Sequence, residues 1–210
     1  MDKAINTAAL LLAGFAVLGT GLVALTREAT AERIAEQQRR ALLRGLNEII
    51  PSSRYDNDLA TDTTTAADGE HLIYRARHNG QPVAAVISTA AEDSYSGTPI
   101  ELLVGINTDG SLAGVRVVSH KETPGLGDGI MLDRSPWILS FNGRSLEQTP
   151  EARWQVKKDG GDFDQFTGAT ITPRAVIHAV HNTLKYHQQN RHSIYASAAG
   201  REPPKANRHD

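Results

Sequence analysis

The sequence predicts an α+β protein: a single N-terminal transmembrane helix followed by one domain with an antiparallel sheet and flanking helices. Three features point there. A long uncharged apolar run opens the chain, two hairpin signals sit in its middle, and a proline-led amphipathic segment follows them.

From Ala4 to Thr26 there are 23 consecutive residues without a charge, and Ala8 to Leu25 is almost wholly apolar. As a helix this run spans roughly 34 Å, enough for a hydrocarbon core. Gly14, Gly19 and Gly21 weaken a helix in water but are common in membrane helices. The alternative is a cleaved signal peptide, with Ala29-Thr30-Ala31 as its small-residue site. Against it, the run exceeds the roughly 7–15 apolar residues of a signal core, and Arg27 and Glu28 sit where neutral groups are preferred. Residues 1–26 therefore read as an anchor. Its charges are Lys3 before it and Arg27, Arg33, Arg39 and Arg40 after it, which by the positive-inside rule argues against a cytoplasmic N-terminus.

Residues 27–55 read as an amphipathic connecting helix. Ala31, Ile34, Ala35, Leu42, Leu46 and Ile49 form one stripe at helical spacing, and Pro51 stops it. Residues 56–70 read as a polar loop without periodicity, opening a domain expected over 56–190. His71–Arg77 and Val83–Thr89 flank Asn79-Gly80, a pair suited to a turn that needs positive φ twice. Ile100–Thr108 and Leu112–Ser119 flank Asp109-Gly110, with Leu102, Val104 and Ile106 alternating toward one face. Trp137–Phe141 and Trp154–Lys157 are short apolar pieces between turns. Pro173–Asn190 reads as a helix with Val176, Ala179, Val180, Thr183, Leu184 and His187 on its buried stripe, Thr172 as N-cap and Pro173 at the first helical position. Residues 191–210 are expected to form a mobile tail.

Composition excludes several functions. The 22 lysines and arginines against 24 acidic residues give a net charge of −2, which leaves no broad basic surface, so no nucleic-acid partner is expected. With no cysteine, disulfides, thiolate metal sites and cysteine nucleophiles are all absent. No GxGxxG follows a strand and no GxxxxGK[ST] occurs, so ordinary dinucleotide and NTP folds are unsupported. His178 and His181 stand three apart without a matching carboxylate on their helix, so no metal site is expected. No paired-carboxylate or nucleophile–base spacing supports a hydrolase, and no catalytic residue is assigned.

Two segments carry chemistry. In Asp164-Gln165-Phe166-Thr167-Gly168-Ala169-Thr170-Ile171-Thr172-Pro173, small residues lead into a helix N-terminus, where unpaired N–H groups and the helix dipole favour an attached phosphate. Read alone, Thr-Gly-Ala-Thr is better taken as a turn before a capped helix, since caps use the same residue types. In His120-Lys121-Glu122-Thr123-Pro124-Gly125-Leu126-Gly127-Asp128, proline and glycines shape a loop at a strand end, with Leu126 as an apolar surface.

In this order and spacing the pair resembles the FMN-binding domain of flavoprotein subunits in ion-translocating redox complexes, and within it the G-subunit family of the Rnf (Rsx) ion-translocating electron transport complex. The C-subunit family of the sodium-translocating NADH:quinone reductase shares the chemistry and is the second family considered. The resemblance implies that FMN is joined through its phosphate to Thr170, the last threonine of a D-x-x-[ST]-G-A-T motif whose other fixed positions are Asp164 and Thr167. It implies a separate Mg-dependent FMN transferase with FAD as donor, recognising Asp164 and Thr167. Thr167, Gly168, Ala169, Thr123, Leu126 and Gly127 are the implied cofactor-binding residues beside Thr170, and Glu122 reads as a carboxylate that orders its loop. It further implies an electron-carrying component of a translocase, without independent catalytic activity, partnered by the other subunits of the complex. The domain is then periplasmic on a bacterial inner membrane, against the arginine count above. A membrane-anchored scaffold without redox function is the rival class. Among other residues, Arg174 is a candidate for the phosphate, Tyr95 for the ring, and Trp137 and Trp154 read as core aromatics.

Overall fold

The computed structural model describes residues 2–66, 69 and 71–196, and it divides into two compact units, Met1–Leu43 and Arg44–Asp210. Helix α1 runs over Asp2–Ile49. Within the first unit, Leu10–Arg27 is long and apolar enough to cross a membrane, and Leu11, Phe15, Leu18 and Leu22 are all exposed. An apolar surface of this extent is not tolerated by water and needs a lipid or protein cover. Of the stripe read from the sequence, Ala31 and Ile34 are exposed, and Leu46 and Ile49 are buried.

The second unit is built on five antiparallel strands in sequential order: β1 Thr63–Thr65, β2 Leu72–His78, β3 Gln81–Ala91, β4 Ile100–Asn107 and β5 Leu112–Ser119. The hairpin between β2 and β3 turns at Asn79 (φ 50°) and Gly80 (φ 74°), both left-handed as the dipeptide requires. The hairpin between β4 and β5 solves its turn differently. Only Gly110 has positive φ, at 91°, and the Asp109 carboxylate accepts from the Ser111 N–H at 2.9 Å and its hydroxyl at 2.6 Å. Those bonds favour the ionised carboxylate and hold its pKa below the ordinary range. Strand β1 corrects the loop reading of 56–70: three β-branched threonines pair with β2 at the sheet edge, where no apolar alternation is needed.

Strand β4 is buried on both faces. Leu102, Val104 and Ile106 join the main core with Ile87 and Val115, against which Val176, Val180 and Leu184 of helix α2 (Ile171–Tyr195) are packed. Each such side chain contributes about 1.5–3 kcal/mol on burial. On the opposite face, the Ile49 side chain sits against Gly105, where no Cβ would fit, and within 3.7 Å of where a Cβ on Gly114 would stand. The end of α1 thus covers the second face.

Helix α2 differs from its sequence reading at both ends. It begins at Ile171 with Thr170 in the cap position, two residues before the expected start, and Thr172 is buried inside its first turn. Proline remains admissible at the third helical position because donors of the first turn have no intrahelical acceptor. At the other end it reaches Tyr195 and buries Ile194, so residues 191–195 are helical; the remainder of the expected tail, 197–210, lies outside the described residues. The stretch between β5 and α2 is held by 3₁₀ turns, including Asp128–Ile130 and Pro136–Phe141, around Phe141, Phe163, Trp137 and Trp154.

Candidate functional site

The loop after β5 is fixed by its own backbone. The N–H groups of Leu126 and Gly127 donate to the Thr123 carbonyl at 3.1 and 3.0 Å, and the Gly125 N–H donates to Asp128 at 2.8 Å. This leaves Leu126 48% exposed on the outside of the loop, while Gly127 is buried beneath it. The second segment forms a tight turn. Ala169 N–H donates to the Phe166 carbonyl at 3.2 Å, with Gly168 at φ 80° in the position that demands a left-handed residue.

These two segments face each other across a cleft of about 650 Å³, within the size range of small-molecule sites. Of the candidate residues, Leu126 and Thr167 line it, and Thr123, Gly127 and Gly168 are chain neighbours of lining residues; Ala169 and Thr170 follow two and three positions after Thr167 and do not line it. Leu126 also meets the turn directly: its Cδ2 lies 3.7 Å from where a Cβ on Gly168 would be. Pro124, Gly125, Asp128, Gln165 and Phe166 of the same two segments also line the cleft, and Gly129, Arg134 and Ser135, outside both segments, complete the wall. Phe166 packs edge-on against Trp137 with ring centroids 5.2 Å apart, and Ser135 caps the Pro136–Phe141 turn through the Trp137 N–H at 3.1 Å. The adjoining Pro-Trp pair was the available sequence signal for that turn; nothing in the sequence marked Arg134.

Thr170 is half-buried and its side chain makes no capping hydrogen bond. Its backbone is helical (φ −75°, ψ −24°), unlike the extended geometry of a capping threonine. The N–H groups of Ile171 and Thr172 have no intrahelical acceptor, and Arg174 N–H is the first to find one, on Thr170 at 3.4 Å. A hydroxyl free of capping, beside unpaired donors at the positive end of a 25-residue helix, suits a phosphate ester. Together with the cleft that Thr167 lines three residues earlier, this donor set fits FMN held through its phosphate.

Asp164 is exposed, with its carboxylate 2.6 Å from Lys157, while its carbonyl accepts from the buried Trp137 indole at 2.7 Å. Arg174 is not available to a phosphate in this arrangement. Its guanidinium donates to both oxygens of Asp159 at 2.7 and 2.8 Å, raising its own pKa and lowering that of Asp159. Tyr95 is 70% exposed and does not line the cleft. Trp137 and Trp154 are buried, Trp154 stacking on His181 at 5.1 Å, and His178 lies 3.2 Å from Asn182.

Residues 95–185 match the FMN-binding domain family and residues 1–49 match the RnfG N-terminal region. The chain is 51% identical over 203 residues to the G subunit of the ion-translocating oxidoreductase complex of Pseudomonas aeruginosa (strain UCBPP-PA14), covering 92% of this chain and 94% of that relative. The G subunit of Pseudoalteromonas atlantica is 47% identical over 205 residues, covering 94% and 95%. That of Vibrio cholerae serotype O1 (strain O395) is 48% identical over 202 residues, covering 92% and 96%. Identity at about half of the aligned positions, over more than nine-tenths of this chain and of each relative, settles the assignment. The chain belongs to the G-subunit (RnfG) family of ion-translocating oxidoreductase complexes, and its globular part contains an FMN-binding domain.

Proposed function

We propose that this chain is a covalent flavoprotein: FMN is esterified to Thr170, and the chain serves as an electron carrier of its complex, anchored by one N-terminal helix, with its domain on the periplasmic face of the inner membrane. The observation that carries the reading is the uncapped Thr170 hydroxyl at the start of α2, three residues after Thr167, which lines a cleft walled by the 124–129 loop and the 165–167 turn.

Threonine is a weak nucleophile, and among the described residues no side-chain base bonds Thr170. Attachment is therefore assigned to a separate transferase. Thr170 Oγ1 forms a bond to the FMN phosphorus of FAD, the pyrophosphate P–O bond breaks, AMP leaves with the electron pair, and the hydroxyl proton passes to the transferase or solvent. The exposed Asp164 carboxylate and exposed Thr167 are what the transferase reads. Once joined, the phosphodiester would be held at the helix N-terminus by the Ile171 and Thr172 N–H groups. Leu126 gives an apolar surface for the ring, and the glycine-rich loop lets backbone approach it. FMN supplies one-electron carriage between redox centres; this chain supplies the tether, the packing surface and the membrane attachment. Residues 10–26 of the anchor carry no ionisable side chain, so an ion path is assigned to other subunits.

The test is in-gel flavin fluorescence after SDS denaturation of the full chain co-expressed with its transferase. Fluorescence is expected in the wild type, absent in Thr170→Val and partly retained in Thr170→Ser. A colourless wild type with unmodified Thr170 overturns the reading and leaves a scaffold role.

A further inference from the structure

Three threonines lie around the start of α2, at 167, 170 and 172, and all offer the same secondary alcohol. Their surroundings separate them. Thr167 is exposed, Thr170 is half-buried, and Thr172 is fully buried with its hydroxyl donating to Oε2 of Glu122. Glu122 is itself only 4% exposed. Its other oxygen accepts from the Ser96 backbone N–H at 3.2 Å, so a hydroxyl and an amide meet this carboxylate rather than a cation. Its own N–H donates to Nδ1 of His120 at 3.1 Å, and a Cβ on Gly127 would stand 3.0 Å from Oε2.

Local sequence alone favours another start for this helix. Thr172 followed by Pro173 is the preferred N-cap and first position, because threonine caps well and proline lacks the N–H that would go unpaired. The structure begins the helix two residues earlier, with the Thr172 hydroxyl turned to Glu122. Donating to Glu122 leaves the lone pairs of this hydroxyl free, so what withholds it from its own helix is direction: the bond holds the side chain toward a carboxylate on another segment. Thr170 then occupies the cap position in a helical backbone, and with Pro173 offering no N–H its hydroxyl stays uncommitted.

We infer that Glu122 is a positioning residue that sets the start of α2, withholding Thr172 from capping so that Thr170 is presented as the flavin acceptor. The inference rests on the covalent-FMN reading above. Glu122 touches neither the ester oxygen nor the ring in this role; it acts through Thr172.

The test is a timed loading reaction on the full chain with FMN transferase, Mg²⁺ and FAD, read by the mass of the peptide carrying Thr170. Amide exchange at Arg174, whose N–H bonds Thr170 in the early-start helix, is followed in parallel. Glu122→Ala is expected to load about tenfold more slowly and to lose protection at Arg174. Adding Thr172→Val, which removes the competing cap, is expected to restore both; a merely structural loss at Glu122 gives no such rescue. Glu122→Leu keeps most of the volume and removes both acceptor oxygens, and serves the same pair of measurements should the alanine variant not fold. Loading of the Glu122 variants at the wild-type rate, or slow loading that Thr172→Val does not relieve, overturns the inference. A wild-type chain that never loads at Thr170 instead overturns the covalent-FMN reading.

Discussion

The indole N–H of Trp137 donates to the main-chain carbonyl of Asp164 at 2.7 Å, joining the 3₁₀ turn after the glycine-rich loop to the first residue of the acceptor motif. Trp137 is buried and Asp164 is exposed, so the motif is fixed from beneath while its carboxylate faces outward. Trp137→Phe keeps the aromatic packing on Phe141 and Phe166 and deletes this bond. The expected cost is about 1 kcal/mol of stability, with slower flavin loading at an unaltered Thr170. Thermal unfolding together with timed loading checks both.

Gly127 is required for space, not for backbone freedom. Its φ of −93° suits any residue, yet a Cβ would stand 2.8 Å from Cβ of Glu122 and 3.1 Å from the Thr172 hydroxyl. Both neighbours are buried and cannot swing away. Gly127→Ala is therefore expected to destabilise the domain by about 1–3 kcal/mol, read from urea unfolding, and to lower flavin occupancy by lifting the loop.

Asp62 holds two arginines. Arg75, 4% exposed, donates Nε at 2.7 Å, and Arg77 donates Nε to the other oxygen at 2.8 Å. Arg75 also donates to the Ala196 carbonyl at 2.8 Å, tying the end of α2 to β2. Asp62→Ala leaves a buried guanidinium without its carboxylate, for an expected loss of about 3 kcal/mol. Faster amide exchange over residues 190–196 than in the wild type is the local signature.

His187 is buried on α2, 3.0 Å from the Tyr195 hydroxyl, and burial, with Arg191 adding to it, pushes its pKa down to about 4. The unfolded chain takes up this proton near the ordinary value of about 6.5, so between those limits the unfolded state binds more protons. The stability due to neutral His187 is complete above pH ~6.5 and is lost as pH falls toward 4, about 3 kcal/mol in all. His181 is lowered in the same direction, mainly by burial. The urea midpoint is expected to fall from pH 7 to pH 4.5, and less steeply in His187→Phe.

Legibility in the sequence followed how local each determinant is. Asn79-Gly80 and Asp109-Gly110 encode turns within a few residues, and both hairpins are where they were expected. Strand β1 escaped because Thr63–Thr65 is polar and owes its place to pairing with β2, which no local pattern records. The start of α2 was misplaced for a related reason: Thr172 has good capping chemistry, and the carboxylate that diverts it lies fifty residues away in sequence. The 164–170 segment and the loop holding Leu126 stood out in the sequence through their resemblance to known flavoproteins, and Thr167 and Leu126 of the two segments line one cleft. Arg134 and Ser135 did not, since they lie outside both segments and join the cleft only through the folded path between Gly129 and Phe166.

Tryptic cleavage after Lys158 and Arg174 isolates residues 159–174, a single peptide holding Thr167, Thr170 and Thr172. Its mass and fragmentation, in protein purified from native membranes, test the central claim most directly. The expected result is a gain of FMN less one water, with the added mass on Thr170 alone. A peptide of unmodified mass contradicts the account.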